Sequence, residues 1–172
     1  MCASLQGYGA EGPRLEVHSA GDTSRIEALW VVAAPVEAVW RCIAEYDRLS
    51  SLMPSIEESR VLRREGDTAL RLFQRLRLRV FPGFPVSVYF EFRVREYPPV
   101  RLEFEDVRQA YFTLYRGQWE LRSVGRGKTE IRYRVEFCPR PLLKPLLRRM
   151  PAAFTEHFVR EFQTGLQRGC IP

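Results

Sequence analysis

The feature that most constrains this chain is its alternation of apolar and polar residues, repeated strand after strand between Ile56 and Phe137. In TALRLFQRLRLRVF, Leu70, Leu72, Gln74, Leu76, Leu78 and Val80 fall on one side, and Arg71, Arg75, Arg77 and Arg79 on the other. A period of two means a strand with one buried face. After an FPGFP turn, Val86, Val88, Phe90, Phe92 and Val94 continue such a face. Pro98-Pro99 marks another turn, then VRLEFED and the long AYFTLYRGQWELRSV follow. A GRGK turn leads into TEIRYRVEF, where Ile131, Tyr133, Val135 and Phe137 share a side. Consecutive strands joined by short turns form an antiparallel meander. Its apolar face must be covered.

The cover is written at the C-terminal end. Leu143, Leu146, Leu147, Met150, Phe154, Phe158, Phe162 and Leu166 form a single stripe at 3.6-residue spacing. Pro145 and Pro151 are expected to kink this helix or delay its start. Ahead of the meander, RLEVHSAGDTSRIEALWVVAA predicts a hairpin about Gly21-Asp22 that ends near Ala33. Pro35 then suits the first turn of a short helix, whose buried face carries Val36, Val39, Trp40 and Ile43. Tyr46-Asp47 ends it, and Asp47 is expected to cap a second short helix running through Leu52 and closed by Pro54. The expected class is α+β: a curved antiparallel sheet wrapped around a long C-terminal helix, with two short helices after the first main strand.

At 172 residues the chain suits one domain with a substantial core. Residues 1–14 read as a flexible tail, 15–168 as the domain and 169–172 as a second tail. No run of about 18 apolar residues is present, and MCASLQGYGAEGPR lacks the basic and apolar regions of a secretory signal. A cytoplasmic location, with contact at a membrane surface as an option, is the expectation. The four cysteines are scattered without a CxxC pair, which predicts reduced thiols, and only His18 and His157 exist as imidazole ligands. Neither a metal nor a cofactor is expected. The formal charge of +6 invites a nucleic-acid partner, but 25 of the 27 basic residues are Arg and the chain has no Asn. That composition, with arginines alternating along strands, points to a solvated sheet face, and no nucleic-acid motif accompanies it. GKT at Gly127–Thr129 is a hairpin turn; Arg122 stands where a phosphate loop needs Gly.

The local text carries a family likeness as well. VVAAPVEAVW followed by IAEYDRLSSLMPSIEESRVL resembles the opening of the START-like (SRPBCC) superfamily, and YRGQWEL with GKTEIRYRVEF resembles its last two strands. More narrowly, the chain is similar to the polyketide cyclase/dehydrase and coenzyme-Q-binding-protein branch, including cyanobacterial and plastid members. The resemblance spans roughly residues 15 to 168. It implies a helix-grip fold with a cavity between sheet and terminal helix. It implies activity only by class, since the same cavity serves lipid carriage, quinone binding, hormone sensing and aldol cyclisation.

Within that frame the residues suggest a site. Gln74 is the polar exception on its inward face, and a buried amide needs a partner that a ligand can supply. Phe90, Phe92, Tyr115, Trp119, Tyr133, Phe154 and Phe158 border the expected cavity, though any of them can equally be packing residues. His157 and Glu161 stand at i, i+4, so a general acid–base pair is one reading and a surface ion pair the plainer one. His157 also joins the ligand-binding candidates. Phe81 and Phe84 at the FPGFP tip, beside Arg77, Arg79, Lys144, Arg148 and Arg149, suit either an anionic membrane or packing onto the sheet. The expected function is binding or transport of a lipid, quinone, isoprenoid or polyketide-like molecule. An aromatase/cyclase using His157, Glu161 and Gln74 is the alternative, and no oligomeric state is indicated.

Overall fold

A computed structural model describes residues 13–81, 84–144 and 151–169, those at 78–81, 84 and 151–156 by backbone alone. The hairpin is β1 (Arg14–Ala20) and β2 (Thr23–Val32). Two short helices follow, α1 (Val36–Ala44) and α2 (Leu49–Leu52), separated by a 3-10 turn at Tyr46–Arg48. The meander is β3 (Ile56–Arg64), β4 (Ala69–Phe81), β5 (Phe84–Tyr97), β6 (Arg101–Asp106), β7 (Phe112–Ser123) and β8 (Thr129–Pro139). A 3-10 turn at Pro141–Leu143 precedes the terminal helix, α3 (Pro151–Gly169). Leu143 lies in that 3-10 turn and Pro151 is the first described residue of α3; Pro145, Leu146, Leu147 and Met150 fall outside the described residues.

One antiparallel sheet results, in the order β1-β2-β8-β7-β6-β5-β4-β3. Its order explains the short helices. β2 pairs with β8 while β3 is the far edge, so the chain between them must cross the sheet's open side. Helices satisfy their own backbone groups during such a crossing. Pro35 forms the N-cap of α1, and Ala38, Val39, Cys42 and Ile43 are its buried residues, with Val36 and Trp40 only partly covered. Register shifts in the β3–β4 pair between Ile56 and Glu58, and between Val61 and Arg63, bend the strand edge.

The core lies between the sheet's concave face and α3. Ile26, Leu70, Val94, Ile131, Val159 and Leu166 are fully buried there. α3 sits close to α2 because Gly165 offers no side chain: a Cβ there would stand 2.5 Å from the backbone oxygen of Leu52. On the outer face, arginines interleave with carboxylates. Glu57 takes Arg75 and Arg77, Glu136 takes Arg25 and Arg116, and Glu27 takes Arg132 and Arg134. Hydrogen bonds from Ser87 and Arg77 hold Glu57 below the usual glutamate range, and Arg116 does the same for Glu136.

Two expectations need correcting. Asp47 does not cap α2: its Oδ1 accepts the backbone N–H of Val61 at 3.0 Å, tying the helix crossing to β3. The α2 N-cap is Arg48, with no side-chain cap bond. Cys42, buried in α1, is disulfide-bonded rather than reduced, while Cys138 is a free thiol. Spacing alone carried no trace of that bond.

Candidate functional site

A cavity of about 80 Å³ lies between the concave face of the sheet, α3 and the helix crossing. Its wall is aromatic. Trp119 of β7 rests 4.6 Å from both Tyr133 of β8 and Phe162 of α3, centroid to centroid, and Tyr133 is 5.6 Å from Phe158. Across from them Phe92 packs on Phe104 at 5.4 Å and on Tyr115 at 5.9 Å. Ile43, Leu49, Met53, Ile56, Leu76 and Leu102 add aliphatic lining, and Tyr46 and Gln74 add polar groups. Strand alternation puts every second side chain inward, and inward positions here are nearly all large.

One position is instead empty. Gly117 stands between the inward residues Tyr115 and Trp119, and a Cβ there would meet the backbone oxygen of Arg134 and the Phe104 ring, at 2.5 Å from its Cζ. The Phe104 ring therefore lies across Gly117, where any side chain would displace it. That accounts for the Gly-x-Trp pattern: the glycine seats one ring and the tryptophan supplies the next.

Polar groups reach the wall at few places. Gln74 donates Nε2 to Ser59 Oγ at 3.2 Å. Burial pushes the Tyr115 hydroxyl up to about 12 and Tyr133 well above its usual value. Both phenols are therefore neutral donors across the physiological range. Tyr46 donates its hydroxyl to Glu96 Oε1 at 2.7 Å, and Glu96 Oε2 takes Arg64 at 3.4 Å. Burial, then this bond, raises the Tyr46 pKa. Glu96 is 7% exposed, so the triad staples the helix crossing to the end of β5 from inside.

Among the expected site residues, Gln74, Phe92, Tyr115, Trp119, Tyr133 and Phe158 come together in the lining. Phe90 stacks behind Phe92 at 5.2 Å and does not line the cavity. His157 stands outside the wall, with a side chain 53% exposed, and its Nε2 is 2.9 Å from Glu161 Oε1. Glu161 Oε2 accepts the backbone N–H of Ser55 at 3.0 Å, so this pair fastens α3 to the loop after α2. The side chains of Phe154, Phe81 and Phe84 lie outside the described residues. Among the described residues no cluster of His, Cys, Asp and Glu is placed to hold a metal ion.

Sequence reasoning missed Tyr46, Phe104, Phe162 and Glu96. A usable signal existed for Glu96 and for Asp106: each occupies the next inward position after an apolar series, Phe92-Val94-Glu96 and Leu102-Phe104-Asp106. Asp106 is 2% exposed and accepts the backbone N–H groups of Arg108 and Gln109, at 3.1 Å each. Desolvation outweighs those bonds and lifts its pKa above 3.8. The protonated form is thus favoured by folding. Its stabilising contribution is complete below the unfolded value and is lost as pH rises through the elevated one. Urea titrations of wild type and Asp106→Asn, from about pH 3 to about pH 7, should show the wild-type advantage shrinking as pH rises. An advantage that grows with pH would mean the backbone donors dominate instead.

The comparisons with known proteins agree with this architecture. The family described as polyketide cyclase / dehydrase and lipid transport matches residues 32–159. Zhui aromatase/cyclase from Streptomyces sp. R1128 superposes with a TM-score of 0.67 at 16% identity, covering 84% of this chain and 93% of that one. A START superfamily protein from Mycobacterium smegmatis gives 0.66 at 17% identity, over 84% and 97%. A STAR-related lipid transfer protein from Xanthomonas axonopodis gives 0.64 at 12% identity, over 92% and 100%. At these identities the likeness is one of fold. No similar curated protein is found.

Proposed function

The chain belongs to the polyketide cyclase / dehydrase and lipid transport family, and on that premise we propose that it binds a hydrophobic small molecule between sheet and α3 and releases it unchanged. One observation carries this reading. Among the described residues the lining consists of aromatic and aliphatic side chains with Gln74, and no carboxylate, imidazole or amine is among them. Burying apolar ligand area against such walls contributes about 25 cal/mol per Å² before ordering costs. Among these described residues an enolisable ketone would meet no carboxylate or imidazole to act as its base.

Volume adds a condition. Ligand pockets span about 300–1,000 Å³, and this cavity holds about 80 Å³. Binding therefore needs outward movement of wall side chains, with Phe158 and Phe162 of α3 the ones that seal it. The test is native mass spectrometry of protein prepared without detergent, followed by identification of whatever is extracted. A stoichiometric apolar compound recovered unmodified after incubation supports the carrier. Conversion of a model poly-β-ketone by wild type, lost in His157→Gln, would replace it with the cyclase reading.

Exchange of such a cargo takes place at a lipid surface, and the FPGFP tip is the proposed contact. Co-sedimentation with anionic liposomes should weaken with added salt and vanish in a Phe81→Ser, Phe84→Ser double variant. Equal sedimentation of variant and wild type would remove the tip from the proposal.

A further inference from the structure

The sheet ends in β1 on one side and β3 on the other, and the two edges differ. β3 is guarded: its pairing with β4 shifts register twice, and Asp47 takes the backbone N–H of Val61. Among the described residues β1 has no such guard. It pairs with β2 over seven residues without a register shift, and of its side chains Leu15 alone is half-buried. Val17 is 42% exposed. The turn settles which backbone groups point outward. Ala20 pairs with Thr23 across Gly21-Asp22, with Gly21 at φ +59°, so this closing pair exchanges both of its hydrogen bonds. Alternation then commits Arg14, Glu16, His18 and Ala20 to β2. It turns the N–H and C=O of Leu15, Val17 and Ser19 to the open edge.

The charges of β1 are mismatched to β2. Glu16 stands opposite Glu27, and His18 opposite Arg25. Like charges directly opposite one another destabilise a strand pair. We propose that the open edge of β1 is an interface with a second copy of this chain, the two β1 strands pairing antiparallel about a two-fold axis at Val17. In that register Leu15 of one copy meets Ser19 of the other, and every outward N–H and C=O of Leu15, Val17 and Ser19 gains a partner. Each Glu16 then lies opposite His18 of the second copy, the complement that β2 does not supply. An imidazole donates to a carboxylate whether or not it carries a second proton. Neighbouring registers lose this match. With the axis at Glu16 the two carboxylates face each other, and with the axis at His18 the two imidazoles do. Charge therefore fixes a register that an exposed strand would otherwise leave loose. The contact closes on itself and joins two eight-stranded sheets edge to edge.

Sedimentation velocity of the full chain across a concentration series should show a monomer–dimer equilibrium. A contact this short belongs with transient interfaces, so its Kd should be on the order of 10–100 µM. Hydrogen exchange should slow with concentration at the amides of Leu15, Val17 and Ser19, and stay constant at Glu16 and His18, which β2 already holds. Val17→Pro removes an outward N–H without touching β2, since proline is accepted on an edge strand, and should leave a folded monomer. His18→Glu sets carboxylates opposite each other and should weaken association about tenfold; adding Glu16→Lys should restore it to within about threefold. Neither change harms the hairpin, because the first gives Arg25 an acidic neighbour and the second gives Glu27 a basic one. Should Val17→Pro fail to fold, the charge exchange decides alone. A chain that stays monomeric while these amides exchange fast would overturn the proposal. Protection of the same amides in a monomer would also overturn it, by showing that residues 1–12 cover the edge. A dimer indifferent to the charge exchange, or intact in folded Val17→Pro, would place the contact elsewhere and overturn it too.

Discussion

Phe162→Ala is expected to destabilise the protein by about 3–5 kcal/mol, the usual cost of truncating a buried phenylalanine. For a domain of this length that lowers Tm by roughly 6–20 °C. Phe162 is 2% exposed and is pinned between Trp119, at 4.6 Å, and Trp30, at 6.2 Å. Neighbouring rings held on rigid strands cannot collapse far into the space it vacates. The new void joins the cavity of about 80 Å³, and apolar cavities of roughly 150 Å³ take benzene. Benzene should therefore raise the Tm of Phe162→Ala and leave wild type unmoved. A variant within about 2 °C of wild type would show that α3 does not seal this wall.

The second large effect is Glu96→Ala, with an expected loss of about 2–4 kcal/mol. The substitution strands the Tyr46 hydroxyl, which donates at 2.7 Å from a residue only 3% exposed. Tyr46→Phe should cost less, about 1–2 kcal/mol, because Glu96 keeps Arg64 beside it. In the double variant the hydroxyl is no longer stranded, so its loss should fall well short of the sum of the singles. Denaturant melts of the four proteins give the coupling directly. Strict additivity would mean that Tyr46 and Glu96 do not stabilise each other. Tyr46 also lines the cavity, so the same cycle shows whether the helix crossing is fastened from inside.

Much of the architecture was legible before any coordinates, for one reason. Period-two and period-3.6 patterns are local, and burial of a single face forces them on the chain. The meander, the hairpin at Gly21 and the terminal helix follow from residue spacing and from where proline and glycine stand. Six of the nine proposed ligand contacts lie in the lining for the same reason: strand parity turns Gln74, Phe92, Tyr115, Trp119 and Tyr133 inward, and the helical period does so for Phe158. Parity failed where packing direction mattered. Phe90 shares its face with Phe92 yet stands behind it, because a curved sheet gives its inward positions different neighbours. His157 precedes Phe158, and one residue is a rotation of about 100° on a helix, enough to turn the imidazole to solvent.

By itself the sequence determined the fold class, the order and spans of nearly all its elements, and the inward face of each strand, since these depend on residues close together along the chain. Tertiary structure alone decided how much room is left inside and which polar atoms stay free. Cavity volume is a small difference between large packed volumes, and no spacing rule reports that Gly117 makes space for Phe104 or that Phe162 fills it. The partners Tyr46–Glu96 and Asp47–Val61 join residues 50 and 14 positions apart. Hydrogen bonds of that range are chosen by where strands and helices meet, and a carboxylate or hydroxyl in the sequence does not say which donor will reach it.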